Sequence, residues 1–121
     1  MEAILTNTVQ KKHFGQYFSG AAIASLLAHL AYYETASLVI DPMSGTGDML
    51  AACEPTNNPN KNYCGVEIDN GVYTQSLYRF QPNPNVELLN GNAFQPSIIK
   101  KLTAVQYDLV ITNPPYVRYQ S

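Results

Sequence analysis

Charged residues are scarce in this 121-residue chain: 13% of positions, with seven Lys and Arg against nine Asp and Glu. Strong nucleic-acid binding needs clustered Lys and Arg that displace counterions, and a net charge of −2 argues against this segment supplying it alone. Cysteine is scarcer still. Cys53 and Cys64 flank a Pro/Asn-rich stretch, whereas an extracellular disulfide framework normally uses more cysteines. Two free thiols in a cytoplasmic protein are expected, with a disulfide as the alternative. The longest apolar run, Ala21 to Tyr33, is broken by Ser25 and His29 and falls short of the roughly 18 residues that span a membrane. No signal-peptide pattern opens the chain, and no metal-ligand spacing, internal repeat or interdomain linker is present; His13 and His29 read as helix-surface or core residues. What is there is a soluble composition, 45% hydrophobic, long enough for one domain that buries roughly two-thirds of its unfolded surface.

Four short apolar runs alternate with helix-like segments. Residues 37–41, 63–69, 86–90 and 107–112 predict strands, and such short apolar strands suit a parallel sheet covered on both faces. Residues 48–54, 70–80 and 96–101 predict helices. Pro55 and the polar loop 56–62 close the first, the Gln81-Pro82-Asn83-Pro84-Asn85 cluster closes the second, and Pro96 stands near the first turn of the third. Ahead of them, 21–33 is rich in Ala and Leu at helical spacing, with Ser19 placed as its cap. Tyr32, Tyr33, Tyr73 and Tyr78 are expected to pack helices on the sheet. The alternation gives an α/β doubly wound fold with strand order 3-2-1-4. The apolar fourth strand would then be a bare edge, which natural sheets seldom leave unprotected. The chain therefore reads as the first half of a larger domain: an N-terminal motif and helix over 1–35, then four strand–helix units over 36–121.

Ligands of open α/β sheets bind at the carboxyl ends of the strands, where the strand order reverses. The first strand ends in Asp41-Pro42-Met43-Ser44-Gly45-Thr46-Gly47-Asp48. Gly45 and Gly47 allow a tight turn and close approach of a ligand to the backbone, although alone they fit a structural turn as well. Leu50 stands where the dinucleotide fingerprint has its third glycine. Asp41 at the loop mouth disfavours a pyrophosphate and suits an ammonium group. Glu67, 20 residues after Gly47, is placed to accept from ribose hydroxyls, and Asp69 either joins it or caps the next helix. In Asn90-Gly91-Asn92-Ala93-Phe94, Asn92 can accept from an exocyclic amine, the Ala93 N–H can donate to a ring nitrogen, and Phe94 can pack on a base. By itself that stretch reads as a turn; beside the other loops it reads as adenine recognition. An adenosine joined to an amino acid is S-adenosyl-L-methionine.

The fourth strand runs into Thr112-Asn113-Pro114-Pro115-Tyr116. An exocyclic amine is a poor nucleophile because its lone pair is delocalised into the ring, and it gains positive charge as it accepts a methyl group. Two acceptors aimed at its N–H groups favour that transition state. Asn113 offers a side-chain carbonyl, and Pro114 a backbone carbonyl with no N–H of its own. Pro115 keeps Pro114 extended, and Tyr116 presents a flat face for a base extruded from the duplex. A proline-terminated edge strand would account for one proline but not for the whole set.

These motifs resemble those of the N6-adenine-specific DNA methyltransferases. "DPMSGTGDML" resembles that family's first cofactor motif, "GVEID" its second, "GNAF" its third and "TNPPYVRY" its catalytic motif. "HFGQYFSG", residues 13–20, resembles the extra cofactor motif of the group in which it lies N-terminal, a group that includes solitary methylases and fused restriction–modification polypeptides. The resemblance covers nearly the whole chain. It implies a Rossmann-like methyltransferase fold with an incomplete sheet. It also implies cofactor contacts from Phe18 and Ser19 with the methionine portion and from Glu67 and Ile68 in the second motif, and no metal. The implied partner is double-stranded DNA with a flipped adenine, held through regions beyond Ser121 that include a target-recognition domain, with an endonuclease or recognition subunit as a possible further partner. Two positions depart from the pattern: Asn92 replaces the usual Asp, losing a charge, and Gly20 stands where Pro is frequent. Arg118 and Tyr119 either touch a DNA backbone or begin the next loop.

Two other readings stay open. Asn-Pro-Pro-Tyr also resembles the motif of enzymes that methylate a glutamine amide in release factors, which pose the same chemical problem, although "HFGQYFS" favours the DNA enzymes. A non-catalytic half-domain would also suit the exposed fourth strand.

Overall fold

Short apolar runs between turn-forming residues put the four strands where they are. In the computed structural model, which describes residues 20–53, 55 and 60–114, these are β1 (Leu38–Asp41), β2 (Asn62–Glu67), β3 (Val86–Asn90) and β4 (Leu109–Val110). They form one parallel sheet in the expected order β3-β2-β1-β4. Helix α1 (Gly20–Leu30) precedes the sheet. Helices α2 (Asp48–Ala52), α3 (Asn70–Arg79) and α4 (Pro96–Thr103) follow the first three strands in turn. The N-terminal motif with Phe18 and Ser19, and the residues Pro115, Tyr116, Arg118 and Tyr119, lie outside the described residues.

The register sorts the strand residues onto two faces. Val39, Tyr63, Leu88 and Leu109 share one face, on which Leu50, Met49, Phe80, Ala24 and Ala28 close the main core. Ala24 and Ala28 are small enough to let α1 lie close against α2. Gly65 belongs to the same face. A Cβ there would stand 2.9 Å from Leu50, Leu88 and the Ser44 hydroxyl, so the missing side chain is what lets α2 settle on β2. On the opposite face are Ile40, Cys64, Val66 and Val110, with Ile98 of α4 buried above Gly91. Of the strands, the two central ones, β1 and β2, are buried along most of their length. Cover on both faces, expected for the sheet as a whole, is therefore found at the centre and not at Val110, which is 63% exposed on the β4 edge.

Several boundaries differ from expectation for local reasons. Helix α1 stops at Leu30 because Tyr32 turns into the left-handed region (φ 55°) and opens a 3-10 turn over Tyr33–Thr35. Strand β4 is only two residues long, yet its register is fixed beyond them. The Asp108 carboxylate accepts from the Ser37 and Leu38 N–H groups at 2.8 and 2.9 Å, and the Ile111 N–H donates to the Ile40 carbonyl at 3.0 Å. Of the four tyrosines expected to pack on the sheet, Tyr33 is buried and Tyr73 half-buried. Tyr32 and Tyr78 are 72% and 76% exposed. On α3 the sheet-facing phase runs through Ser76 to the buried Phe80 beyond its end, which leaves position 78 on the outer side. Cys53 and Cys64 are free, as expected, and buried. Among the described residues, no helix is long and apolar enough to cross a membrane, and no group of three His, Cys, Asp or Glu side chains could hold a metal ion.

Candidate active site

The turn after β1 is held by backbone N–H groups that find acceptors at the ends of β1 and β2. The Met43 N–H donates to Asp41 Oδ1 at 3.0 Å, the Ser44 N–H to the Val66 carbonyl at 2.8 Å, and the Gly45 N–H to Glu67 Oε1 at 2.8 Å. Gly45 and Gly47 both take positive φ, 56° and 98°. They differ in surroundings. Nothing lies within 4 Å of a Cβ built on Gly45, whereas one on Gly47 would collide with the Phe80 ring. Gly45 is thus open towards a ligand, and Gly47 serves turn and packing. From outside, Arg79 fastens the turn by donating to Asp48 Oδ1 at 2.6 Å and to the Thr46 carbonyl at 3.2 Å.

Glu67 has a structural duty that its spacing alone did not reveal. Its second oxygen accepts from the Asp69 N–H at 2.8 Å, so one carboxylate ties the β1 turn to the start of α3. Asp69 is the helix cap, accepting from the Val72 N–H at 2.9 Å. Both Glu67 oxygens retain lone pairs, since an ionised carboxylate offers about four acceptor sites. After β3, the Gly91 N–H and the Asn90 amide each donate to the Glu67 carbonyl at 2.9 Å. Asn92 Oδ1 accepts from the Phe94 N–H at 2.9 Å, folding 92–94 into an Asx-type turn. That turn carries Phe94 outward, 71% exposed and away from the groove, so the stacking partner expected at Phe94 is not brought to the site.

A groove of about 480 Å³ runs across the strand ends. Gly45, Glu67, Ile68, Asn92, Ala93 and Asn113, all singled out in the sequence, line it together. Pro42, Met43, Val66 and Val72 line it as well. The sequence reading passed over these four; the signal for Val72 was its place one turn after the Asp69 cap. Ile68, 67% exposed, offers an apolar surface of the kind an aromatic ring covers. A smaller cavity of about 180 Å³ adjoins the groove, lined by Asp41, Gly45, Asp48 and Asn113 among others. Asn113 and Gly45 therefore belong to both spaces. Gly47 lines neither, and Pro114, though described, is exposed outside both.

Asp41 is the unusual group. Its residue is 1% exposed, and Oδ2 is buried without a close partner, as is the Thr112 hydroxyl. Burial pushes the Asp41 carboxyl above its ordinary value of 3.8. The nearby Thr112 hydroxyl and the Met43 N–H draw it part of the way back, and the Glu67 charge adds to the rise. The Thr112 hydroxyl stands near enough to Asp41 to favour its charged form by incipient hydrogen bonding, but short of full hydrogen-bond geometry. A buried polar atom without a partner costs about 1–3 kcal/mol. A carboxylate oxygen left bare in a cavity beside a Gly-rich turn fits a ligand's ammonium group. The other candidate reactive groups are quiet: burial pushes the Cys53 and Cys64 thiols up to about 11, so neither is a thiolate nucleophile.

Comparison with known proteins adds to this geometry. The model of a family described as N-6 DNA Methylase matches residues 1–120. A tRNA1(Val) (adenine(37)-N6)-methyltransferase of Pseudoalteromonas translucida (strain TAC 125) is 32% identical over 96 residues, which are 78% of this chain and 39% of that protein. The chain thus spans well under half the length of that relative. Among solved structures, TrmN from Thermus thermophilus is similar with a TM-score of 0.59 and 19% identity, over 78% of this chain and 28% of that one. An RNA methyltransferase from Salinibacter ruber in complex with S-adenosyl-L-homocysteine is similar with a TM-score of 0.50 and 19% identity, over 71% of this chain and 66% of that one. At such identities the structural likeness shows a shared fold.

Proposed function

Since the chain belongs to the N-6 DNA Methylase family, we propose that it is the cofactor-binding half, with the catalytic loop, of an enzyme that methylates the N6 amino group of adenine in DNA. The cofactor is S-adenosyl-L-methionine, which when bound supplies a methyl group activated by a sulfonium. The observation that carries the reading is Asn113, which stands at the end of β4 where the groove meets the cavity beside Asp41. An acceptor there faces both a donor seated across the turns and a base brought in from outside.

Each residue then has a task. Asp41 Oδ2 takes the cofactor's ammonium group, and the open backbone at Gly45 lets the ligand lie close. The free lone pairs of Glu67 accept from ribose hydroxyls, while Ile68 and Ala93 flank the adenine ring and Asn92 accepts from its amine. The carbonyls of Asn113 and Pro114 accept the two N–H groups of the target amine and stabilise the charge it gains. Pro115 and Tyr116 hold that loop extended and stack the flipped base, and Phe18 and Ser19 complete the methionine end. Double-stranded DNA, a recognition domain or subunit and an associated endonuclease are the partners this reading calls for. A second reading, adenine in RNA, is favoured by the tRNA-methylating relative.

The test is methyl transfer by the complete protein from labelled S-adenosyl-L-methionine to unmethylated duplex DNA, unmodified tRNA and a release factor. Label in N6-methyladenine of DNA is expected. Label confined to tRNA would move the substrate to RNA, label in glutamine would remove adenine altogether, and no label would leave a non-catalytic half-domain.

The double duty of Glu67 gives a separable prediction. Glu67→Ala is expected to weaken cofactor binding by roughly tenfold or more and to lower stability by about 1–2 kcal/mol, because two backbone N–H groups lose their acceptor. Glu67→Gln keeps one acceptor oxygen and should recover part of the stability. Calorimetric titration and thermal melting read the two effects apart; unchanged affinity in both variants would refute the ribose contact.

A further inference from the structure

Three carboxylates border the two adjoining spaces at the strand ends, Asp41 and Asp48 in the smaller cavity and Glu67 in the groove, and two of them are already engaged. Asp48 pairs with Arg79 at 2.6 Å. Glu67 accepts from the Gly45 and Asp69 N–H groups, both at 2.8 Å. Asp41 is left with one oxygen bare, and the buried hydroxyl of Thr112, which directly precedes the cavity-lining Asn113, is in the same condition. Asp41 ends β1 and Thr112 lies two residues past the end of the adjacent parallel strand β4, and the chains are joined one step earlier by the Ile111 N–H to Ile40 carbonyl bond of 3.0 Å.

Resting on the cofactor assignment above, we infer that Thr112 is a cofactor-binding residue that completes with Asp41 a two-residue seat for the ammonium group of the donor's amino acid end. The chemistry matches in number. An ammonium group has three N–H donors and a hydroxyl has two acceptor lone pairs and one donor. One N–H goes to Asp41 Oδ2 and another to Thr112 Oγ1, while the Thr112 O–H is free to turn towards Asp41 and close the ring. Both orphaned atoms are then satisfied by the same event. Because the peptide unit after Thr112 leads into Asn113, seating the donor also fixes the start of the loop that receives the amine. The loop is thereby set when the methyl donor is in place.

The experiment compares two ligands on the complete protein: S-adenosyl-L-homocysteine, which carries the amino acid end, and 5′-methylthioadenosine, which shares base, ribose and thioether but lacks that end with its ammonium and carboxylate groups. Thr112→Val removes the hydroxyl at nearly constant volume, Thr112→Ser keeps it, and Thr112→Ala serves should the valine variant not fold. Titration calorimetry is expected to show S-adenosyl-L-homocysteine binding weakened about tenfold in Thr112→Val. Binding of 5′-methylthioadenosine should stay within about twofold, with recovery in Thr112→Ser. Equal loss for both ligands would make Thr112 a packing residue and overturn the inference, as would no loss for either. A wild-type protein that does not prefer S-adenosyl-L-homocysteine over 5′-methylthioadenosine would remove the ammonium seat itself, and one that binds neither would remove the cofactor assignment beneath it.

Discussion

Asn113→Ala in the complete protein is expected to lower the rate of methyl transfer by about 10²–10³-fold while leaving cofactor affinity within about threefold. That magnitude is typical of removing one preorganised group aimed at developing charge. The separation of the two effects follows from position. Asn113 is exposed at the end of β4 and lines the junction of the groove and the small cavity, whereas the turn that would seat the donor is held by Asp41, Val66, Glu67 and Arg79 without it. Removing the amide takes away an acceptor for the target amine and leaves the turn intact. Single-turnover kinetics and calorimetry on one preparation check this. Parallel losses of rate and affinity would mean that Asn113 supports the fold of the site and not the reaction.

Asp41→Asn carries the second large effect, with opposite signs for stability and binding. The folded-state carboxyl titrates above its ordinary value of 3.8 because it is buried. At pH values above the raised folded value, the protein holds a desolvated charge that the unfolded chain does not suffer, so this group opposes folding. The opposition fades as the pH falls through the folded value and is gone below 3.8, where the carboxyl is neutral in both states. The amide variant should therefore melt higher than the parent at neutral pH without ligand, and the gap should close on acidification. Binding runs the other way. An ammonium group needs the ionised carboxylate, so affinity of the parent should fall as acid protonates Asp41, at a higher pH than an unperturbed carboxylate would require. The groups facing Asp41, namely Thr112, the Met43 N–H and Glu67, set where that fall begins. Asp41→Asn should bind S-adenosyl-L-homocysteine roughly a hundredfold more weakly, as when a buried charge loses its counterpart, with little dependence on pH. A variant that binds as tightly as the parent would free Asp41 from the ammonium role.

Much of the molecule was legible before any coordinates, and for identifiable reasons. The strands at Val39–Ile40 and Val66 announce themselves because a run buried on both faces must be apolar throughout. Asp69 was readable as a cap because a short carboxylate before a helix satisfies a local N–H, and it does so at Val72. Glu67 was half legible: spacing from Gly47 suggested an acceptor, but nothing local reveals that its oxygens brace Gly45 and Asp69. The exposed position of Phe94 was not legible, because the Asx turn at Asn92 decides which way the next residues point and "GNAF" reads the same with either orientation. Tyr78 failed similarly, since an aromatic residue on a helix gives no sign of its phase unless the buried face is already known.

By itself the sequence determined what is local or periodic: the α/β alternation, the turns opened by Gly45 and Gly47, the helix caps, and which residue types stand at the strand ends. Only the tertiary structure decided what depends on residues far apart in the chain meeting. Asp41 and Thr112 are 71 positions apart; Asp41 drew notice in the sequence as a match for an ammonium group, but Thr112 did not until β1 and β4 lay side by side and left one oxygen on each without a partner. The physical reason is that satisfaction of a buried polar atom belongs to its three-dimensional surroundings and not to its neighbours in the chain.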